Sequence, residues 1–261
     1  DGATGGVLAF RVLNELNIEA GGSISVSELG YAGGDTGSSS NCDAFQGESY
    51  AGLGSGQGNG SCSGYNESTG QWAPNFGGGG AHITGGGGEH GGGATGGDSW
   101  NYGSATPPQA GNTYGTTTLV SIFMGSGGGG VWRSGGDPGP GGNGGGILYI
   151  GAESIVTVGS NALQSIGGTT YHWSQGSYTY GAGGGAGGSI YLVAEELDLA
   201  ASSVNATGGF GQDDYQRAGG DGGKGRIRLD YSFLNGYEQG VESIIASSLA
   251  STPEPGHHDS P

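Results

Sequence analysis

The stretch SIYLVAEELDLAASSVNATGG, residues 189–209, decides the fold of this chain. Apolar side chains alternate with others along its first half, so that Ile190 and Leu192 would face one side of an extended strand while Tyr191 would face the other. Strict alternation over so short a run is typical of a β-strand with one buried face. We therefore predict short strands here, with small or polar residues at the turns between them.

Three other runs share this pattern. One constant offset along the chain places Leu148 on Ile190 and Ile150 on Leu192. The runs are VLAFRVLNELNIEAGGSISVSELG from Val7, ILYIGAESIVTVGSNALQSIGG from Ile147 and RIRLDYSFL from Arg226. Such an internal repeat predicts that equivalent strands stack side by side around one apolar core. The residues expected in that core are Leu8, Phe10, Leu148, Ile150, Ile190, Leu192, Ile227 and Leu229.

Three short strands per repeat predict an all-β fold, a short parallel β-helix with long ordered glycine-rich insertions; a glycine-rich β-sandwich is the alternative. We expect residues 1–252 to form a single all-β domain and residues 253–261 a disordered tail. A helix that caps the stack is expected from Val241, where apolar residues have helical spacing. The repeats are expected near residues 7–33, 147–168, 189–209 and 226–234, with a glycine-rich insertion at 34–145.

Glycine accounts for 68 of the 261 residues and is concentrated between the repeats. Collagen is excluded, because the glycines lack a strict period of three and there are only 8 prolines. A membrane span is also excluded, because no apolar stretch approaches the roughly 18 residues required. The glycine-rich segments are either flexible linkers or ordered chains that pack closely because glycine has no Cβ. We favour order, because all four tryptophans lie in these segments and disordered linkers are poor in aromatic residues.

The charge and the cysteines indicate an extracellular protein. Lys and Arg total 6 against 23 Asp and Glu, a net charge of −17, which excludes nucleic acid as a partner. Cys42 and Cys62 stand alone in a polar, Gly/Ser-rich stretch without the further ligands of a zinc site, so they predict one disulfide bond. The opening DGATGG is expected of a mature, processed chain. Asn59, Asn66 and Asn205 are candidate N-glycosylation sites.

The segment GGGAGGSIYLVAEELDLAASSVNATGGFG, residues 183–211, is followed by GGDGGKGRIRLDY, residues 219–231. Together they resemble glycine-rich repeat proteins of bacterial and other cell surfaces, whose pattern is GGGxGGxIxLxAxxLxLxxxIxAxGGxG with a final GGxGGRIxL strand. The alternating GGxIxLxA repeat is also similar to that of haemagglutinin-type β-helix adhesins. The resemblance covers the repeats, and it implies an exported surface or matrix protein without catalytic residues.

Catalysis and metal binding are the two kinds of chemistry to consider for the segments between the repeats. The sequence lacks a Walker phosphate loop and a G-x-S-x-G nucleophile motif, so we expect no enzyme; a polysaccharide-active enzyme is the third alternative. The segment GGFGQDDYQ, residues 208–216, fits one copy of the calcium nonapeptide pattern, which makes Asp213, Asp214 and Asp221 candidate calcium ligands. Calcium is the only cofactor that the sequence suggests.

Aromatic residues suggest what this protein contacts. Exposed Trp and Tyr rings stack on sugars or on another subunit, whereas buried rings would supply a core for the glycine-rich segments. The candidate glycan or subunit contacts are Trp72, Trp100, Trp132, Trp173, Tyr171, Tyr178 and Tyr180. The expected function is that of an extracellular structural protein, a surface, matrix or filament subunit that self-associates into a homopolymer. The alternative is a carbohydrate-binding adhesin.

We predict that Cys42 and Cys62 are bonded to each other. Closing a loop of this length stabilises the folded chain by about 3 kcal/mol in the chain-entropy model. Thiol labelling of the unfolded, unreduced protein should therefore detect no free cysteine, and labelling after reduction should detect both. Two free thiols before reduction would contradict the prediction.

Overall fold

The computed structural model describes only part of the chain. Side chains and backbone are described for residues 6–34, 47–49, 110–111, 113–116, 119–130, 140–170, 182–211 and 219–235. The backbone alone is described for residues 65–66, 71–72, 173–175, 178–180 and 244–245. In these ranges all helical or strand structure is β-strand, with no helix.

The strands vary in length from two residues to eleven. Their bounds are β1 Val7–Arg11, β2 Glu15–Ile18, β3 Ile24–Ser25, β4 Tyr65–Asn66, β5 Gln71–Trp72, β6 Ile147–Thr157, β7 Leu163–Gln164, β8 Trp173–Gln175, β9 Tyr178–Tyr180, β10 Ser189–Leu199, β11 Val204–Asn205, β12 Arg226–Asn235 and β13 Ile244–Ile245. Strands β4 and β5 pair antiparallel, as do β8 and β9. All other pairs are parallel.

The main sheet has six strands in the order β1, β6, β10, β12, β13, with β2 also paired to β6. Leu148 lies beside Ile190 and Ile150 beside Leu192, as the constant offset of the repeat predicts. Strand β12 continues the alignment, because Ile190 also lies beside Ile227. The side-by-side stacking of equivalent strands is therefore confirmed.

The smaller sheet contains the two-residue strands β3, β7 and β11. Here Val204 pairs with Leu163, so the offset is shorter by one position than in the main sheet. The offset changes because four residues separate β10 from β11, whereas five separate β6 from β7. In these two turns Ser202 and Asn161 have positive φ angles of 56° and 55°, which reverse the chain within a few residues. A constant offset therefore misaligns the second strand of the repeat.

The apolar core lies between the two sheets. Its residues include Ile18, Val26, Leu148, Ile150, Ile155, Leu163, Ile190, Leu192, Leu197, Leu199, Val204, Ile227 and Leu229. Six of the eight predicted core residues are buried, which confirms the predicted face of each strand. Phe10 is only half-buried and Leu8 is 38% exposed, because β1 is the outermost strand of the sheet.

Glycine-rich segments extend both sheets. Outgoing segments continue from β3, β7 and β11, and returning segments lead into β6, β10 and β12. The outgoing segments are residues 29–34, 165–170 and 206–211, and the returning segments are residues 141–146, 182–188 and 219–225. Hydrogen bonds from Gly222 to Gly209 and from Gly225 to Ala206 show that a returning segment runs antiparallel to the outgoing segment beside it. Residues 125–130 form a third layer, which bonds to residues 141–146.

These segments form neither helices nor strands, and their hydrogen bonds have a period of three residues. Segment 182–188 shows this most fully, because successive residues donate to three different neighbours. Gly183 and Ala186 donate to segment 125–130, Gly184 and Gly187 to segment 219–225, and Gly185 and Gly188 to segment 165–170. Three residues per turn is the repeat of the polyproline II helix, whose backbone groups point outward and are free to bond to neighbouring chains.

Glycine is required because the backbones lie in contact. A Cβ at Gly185 would overlap the carbonyl group of Asn143, well inside the 3.0 Å that real Cβ atoms keep. Gly142 and Gly222 are equally close to the carbonyls of Gly168 and Gly185. The close packing expected of ordered glycine segments is confirmed for these segments, whereas most of the insertion at 34–145 lies outside the described residues.

The predicted parallel β-helix is wrong. In a β-helix each repeat would close through a further strand, but here the chain leaves β11 along segment 206–211 and comes back antiparallel along segment 219–225. The glycine-rich segments form layered, hydrogen-bonded chains instead of a strand face. The alternative β-sandwich also fails, because the smaller sheet consists of two-residue strands.

The predicted capping helix is wrong at Ile244 and Ile245, the two residues of this segment that the structure describes. Ile244 and Ile245 form strand β13, which pairs in parallel with Arg226 and Ile227 at the start of β12. The edge of a sheet offers unpaired backbone groups, and pairing with them outweighs a weak helical spacing.

We predict that Gly185→Ala destabilises the protein by about 1–3 kcal/mol or more, because rigid backbone carbonyls surround the added methyl group. Gly151→Ala is the matched control. Its Cβ would lie 3.7 Å from Cγ of Arg11, an ordinary contact, so it should be neutral or stabilising by up to about 1 kcal/mol. Urea unfolding of both variants checks the difference, and equal effects would contradict the packing argument.

Candidate functional site

Two tyrosines occupy one position in neighbouring strands on the outer face of the main sheet. Tyr149 and Tyr191 pair across β6 and β10, and their rings meet edge to face with centroids 5.3 Å apart. Arg228 follows in the same row on β12, with its guanidinium carbon 4.6 Å from the centre of the Tyr191 ring. The repeat therefore builds a row of stacked rings and a cation on this face.

Asp230 holds this row together. Its carboxylate accepts hydrogen bonds from Nε and Nη2 of Arg228, at 2.9 and 2.8 Å, and from the hydroxyl of Tyr191. Burial, and after it the hydrogen bond to Asp230, raises the pKa of the Tyr191 phenol well above its ordinary value of 10.0. The bonds to Asp230 also raise the pKa of the Arg228 guanidinium. Both groups hold their protons firmly, so this cluster is not suited to acid–base catalysis near neutral pH.

Part of the long insertion covers the outer face of the main sheet where β10 and β12 begin. The hydroxyl of Ser189 donates to the carbonyl of Phe123 at 2.6 Å, and Nη2 of Arg226 donates to the carbonyl of Tyr114 at 2.9 Å. The rings of Tyr114 and Phe123 meet edge to face, and Leu119 is 1% exposed. This segment therefore packs on the sheet and leaves the far part of its outer face open.

A groove on that open part is lined with carboxylates. Its volume is about 450 Å³. The lining residues are Asn14, Glu15, Glu153, Ser154, Glu195, Glu196 and Phe233. Within the described ranges, no group of three or more His, Cys, Asp or Glu side chains is arranged to hold a metal ion. The groove is therefore an acidic surface.

The two edges of the main sheet expose the ends of the apolar core. At the β1 edge Leu8 is 38% exposed, and Phe10 and Leu16 are only half-buried. At the β12 edge Tyr231 and Leu234 are half-buried in the same way. Among the described strands, β1 and β2 pair on one side only, with β6, and such an edge can pair with a further strand.

The glycine-rich segments bring several chain connections to one end of the molecule. Outgoing segments are parallel to each other and antiparallel to the returning ones, so all of them end or begin at that end. Thr170 joins three of them there, because its hydroxyl donates to Ala182 and its N–H donates to Phe210. The described segments stop at residues 130, 170 and 211 and resume at residues 140, 182 and 219 at this end, which we call the connection end.

Most of the residues proposed from the sequence lie outside the described side chains. Outside the described ranges altogether are Cys42, Cys62, Asn59, Trp100, Trp132, Tyr171, Asp213 and Asp214. Trp72, Trp173, Tyr178, Tyr180 and Asn66 are described as backbone within short strands only. Their proposed roles in a disulfide bond, calcium binding, glycosylation and contact with glycans or subunits stay predictions.

Two proposed residues are described in full. Asp221 accepts a hydrogen bond of 2.9 Å from the N–H of Gly211, so its carboxylate ties an outgoing segment to a returning one near the connection end. Asn205 lies in β11, where its Nδ2 donates to Asn161 and its Oδ1 accepts from Thr207. Both side chains hold local structure, and calcium binding at Asp221 stays a prediction.

The structure also assembles residues that the sequence did not suggest as a site. Tyr149 and Tyr191 share one position of the repeat, so their stacking could have been read from the alignment of the repeats. The pairing of Arg228 with Asp230 has the spacing of two residues that puts side chains on one face of a strand.

We predict that Tyr191→Phe flattens the dependence of stability on alkaline pH. Because the folded pKa of this phenol is raised, its stabilisation is complete below the unfolded pKa of about 10 and declines as pH rises above it. The variant should lose about 1 kcal/mol at pH 7 and then decline less steeply than the wild type between pH 9 and 11. Tyr149→Phe, which leaves the bond between Tyr191 and Asp230 in place, is the control. Chemical unfolding across this pH range gives the slopes, and parallel slopes for Tyr191→Phe and wild type would contradict the argument.

Comparison with known proteins assigns no family to this chain. No model of a protein family, no curated protein and no solved structure matches the sequence or the fold. The described residues contain no helix long and apolar enough to cross a membrane.

Proposed function

We propose that this is an extracellular structural protein whose copies self-associate into a surface layer, matrix or filament. One observation carries the proposal: the apolar core runs out to both edges of the main sheet instead of closing on itself. Phe10 and Leu16 at one edge, and Leu234 at the other, remain half-buried within a single copy. A further copy would complete their burial, and burying apolar surface is the main driving force of association.

The composition supports a structural role outside the cell. Glycine-rich segments packed backbone to backbone leave few side chains for chemistry, and the Walker and nucleophile motifs are missing from the sequence. The pair Cys42 and Cys62 favours an oxidising compartment. The resemblance of the repeats to glycine-rich cell-surface proteins points the same way. We accordingly propose that the protein is not an enzyme.

A carbohydrate-binding adhesin is the second candidate, and the connection end favours it. The sequences that join the segment ends there contain Trp132, Trp173 and Tyr171, which are residue types that stack on sugars. The antiparallel pair β8 and β9 belongs to one of these connections. Rigid segments that present several loops at one end are a common arrangement for recognition.

We predict that association increases with salt and with calcium. The net charge of −17 repels like copies, so screening the carboxylates or bridging them with divalent cations should favour contact. Light scattering and negative-stain microscopy across sodium chloride and calcium titrations measure the effect, with magnesium as the control for divalent charge. A particle that stays monomeric under every condition contradicts the proposal, and binding to immobilised glycans would then test the adhesin.

A further inference from the structure

We infer that two copies of this chain pair antiparallel through their β1 and β2 edges, with Arg11 of each copy beside Glu15 of the other. This inference rests on the proposed function, because it names a surface through which copies associate. A two-fold axis passes through Leu13, in the turn between the two strands. The two main sheets then become one continuous sheet, with both outer faces on the same side.

The core rows are incomplete at this edge. Leu8 in β1 is 38% exposed, whereas Leu148, its neighbour in β6, is fully buried. Phe10 and Leu16 are half-buried, although the residues beside them in β6 are fully buried. Strand β6 has a neighbour on each side, and a further strand beside β1 and β2 would give them the same cover.

The backbone of the edge is oriented for that further strand. The N–H of Val12 and the carbonyl of Ile18 both bond to β6. Because alternate residues of a strand point their backbone groups to opposite sides, the odd-numbered residues of β1 and β2 point theirs away from β6. These residues are Val7, Ala9, Arg11, Glu15 and Asn17. An axis through Leu13 places odd-numbered residues opposite each other, where antiparallel partners exchange both of their hydrogen bonds.

The charged side chains select this register. It places Arg11 beside Glu15 of the second copy on the outward face, and the two-fold axis forms the same pair twice. Both residues are exposed, and neither forms an ion pair within the described part of the chain. An axis through Arg11 or through Glu15 would instead set two like charges against each other. Electrostatic complementarity of this kind fixes the register of a contact.

The apolar side chains are complementary in the same register. Phe10 lies beside Leu16 of the second copy on the inward face, and Leu8 lies beside Ile18. Leu13, which is 88% exposed in one copy, meets its own counterpart at the axis. The contact therefore covers the apolar residues that a single copy leaves incompletely buried, which favours association.

Each copy contributes the same edge, so the contact is isologous. An isologous contact closes at a dimer. The dimer is therefore the first unit of the proposed assembly, and growth into a layer or filament requires a second surface.

Charge reversal tests the pairing, with sedimentation velocity measured where the wild-type chain associates. Arg11→Glu sets two carboxylates opposite each other, and Glu15→Arg sets two guanidinium groups opposite each other. Each variant alone should therefore dimerise at least about tenfold more weakly than wild type. A mixture of the two variants should dimerise, because opposite charges then face each other at both pairs. The double variant, which only exchanges the two charges, should dimerise as well.

Matched controls separate the contact from general effects of charge. Glu195→Arg changes the net charge as Glu15→Arg does, but on β10, away from the edge, so it should not weaken dimerisation. Leu13→Asp should weaken it by placing two carboxylates at the axis. Val120→Asp, at a residue that is 78% exposed in the segment over β10 and β12, should not. Circular dichroism confirms that each variant is folded.

The remaining outcomes separate this inference from the proposed function. If the single variants associate like wild type, another surface is used and only the inference is wrong. If they lose association and neither the mixture nor the double variant restores it, Arg11 and Glu15 do not face each other and the inference is again wrong. A wild-type chain that stays monomeric under every condition overturns the proposed function and the inference together.

Discussion

Contact between glycine backbones is the constraint on which the rest of this structure depends. In segment 182–188 each turn of three residues bonds to three neighbouring chains, and at Gly185 a Cβ would overlap a backbone carbonyl. Ordering so many glycines is costly, because glycine loses more conformational freedom than other residues. Hydrogen bonds to neighbouring segments on several sides and close backbone packing offset that cost. They can do so only when all the glycine-rich segments have come together in one array. We therefore expect the array and the sheets to fold as one cooperative unit.

The array also sets the positions of the other surfaces. Returning segments lead directly into β6, β10 and β12, so the spacing of the glycine layers determines which strands become neighbours. At the opposite side the same segments gather the connections at one end. The glycine-rich segments thus lie between the edges of the main sheet and the connection end.

The sequence predicted the sheet better than it predicted the architecture. Alternation and the constant offset of the repeat correctly identified neighbours such as Leu148 and Ile190, because side chains on one face of a strand repeat with a period of two. The same offset fails to identify the partner of Leu163. The turn before β11 is one residue shorter than the turn before β7, so Leu163 pairs with Val204. The β-helix was wrong because glycine has no side chain to show a period, so a strand and a polyproline II segment look alike in sequence. The site residues at Cys42 and Trp132 fall in connections, where no repeat constrains the chain.

The balance of charge and open edges decides how such a molecule behaves. Natural proteins usually protect sheet edges with charges, and Arg11 and Glu15 stand at the β1 edge in this way. Arg11 lies in the outward-facing row that ends at Asp230 on β12, so charged side chains stand at both ends of this row. Arg11 and Glu15 therefore discourage indiscriminate pairing at the β1 edge. The net charge of −17 adds to this protection, because copies of like charge repel each other before their edges can meet.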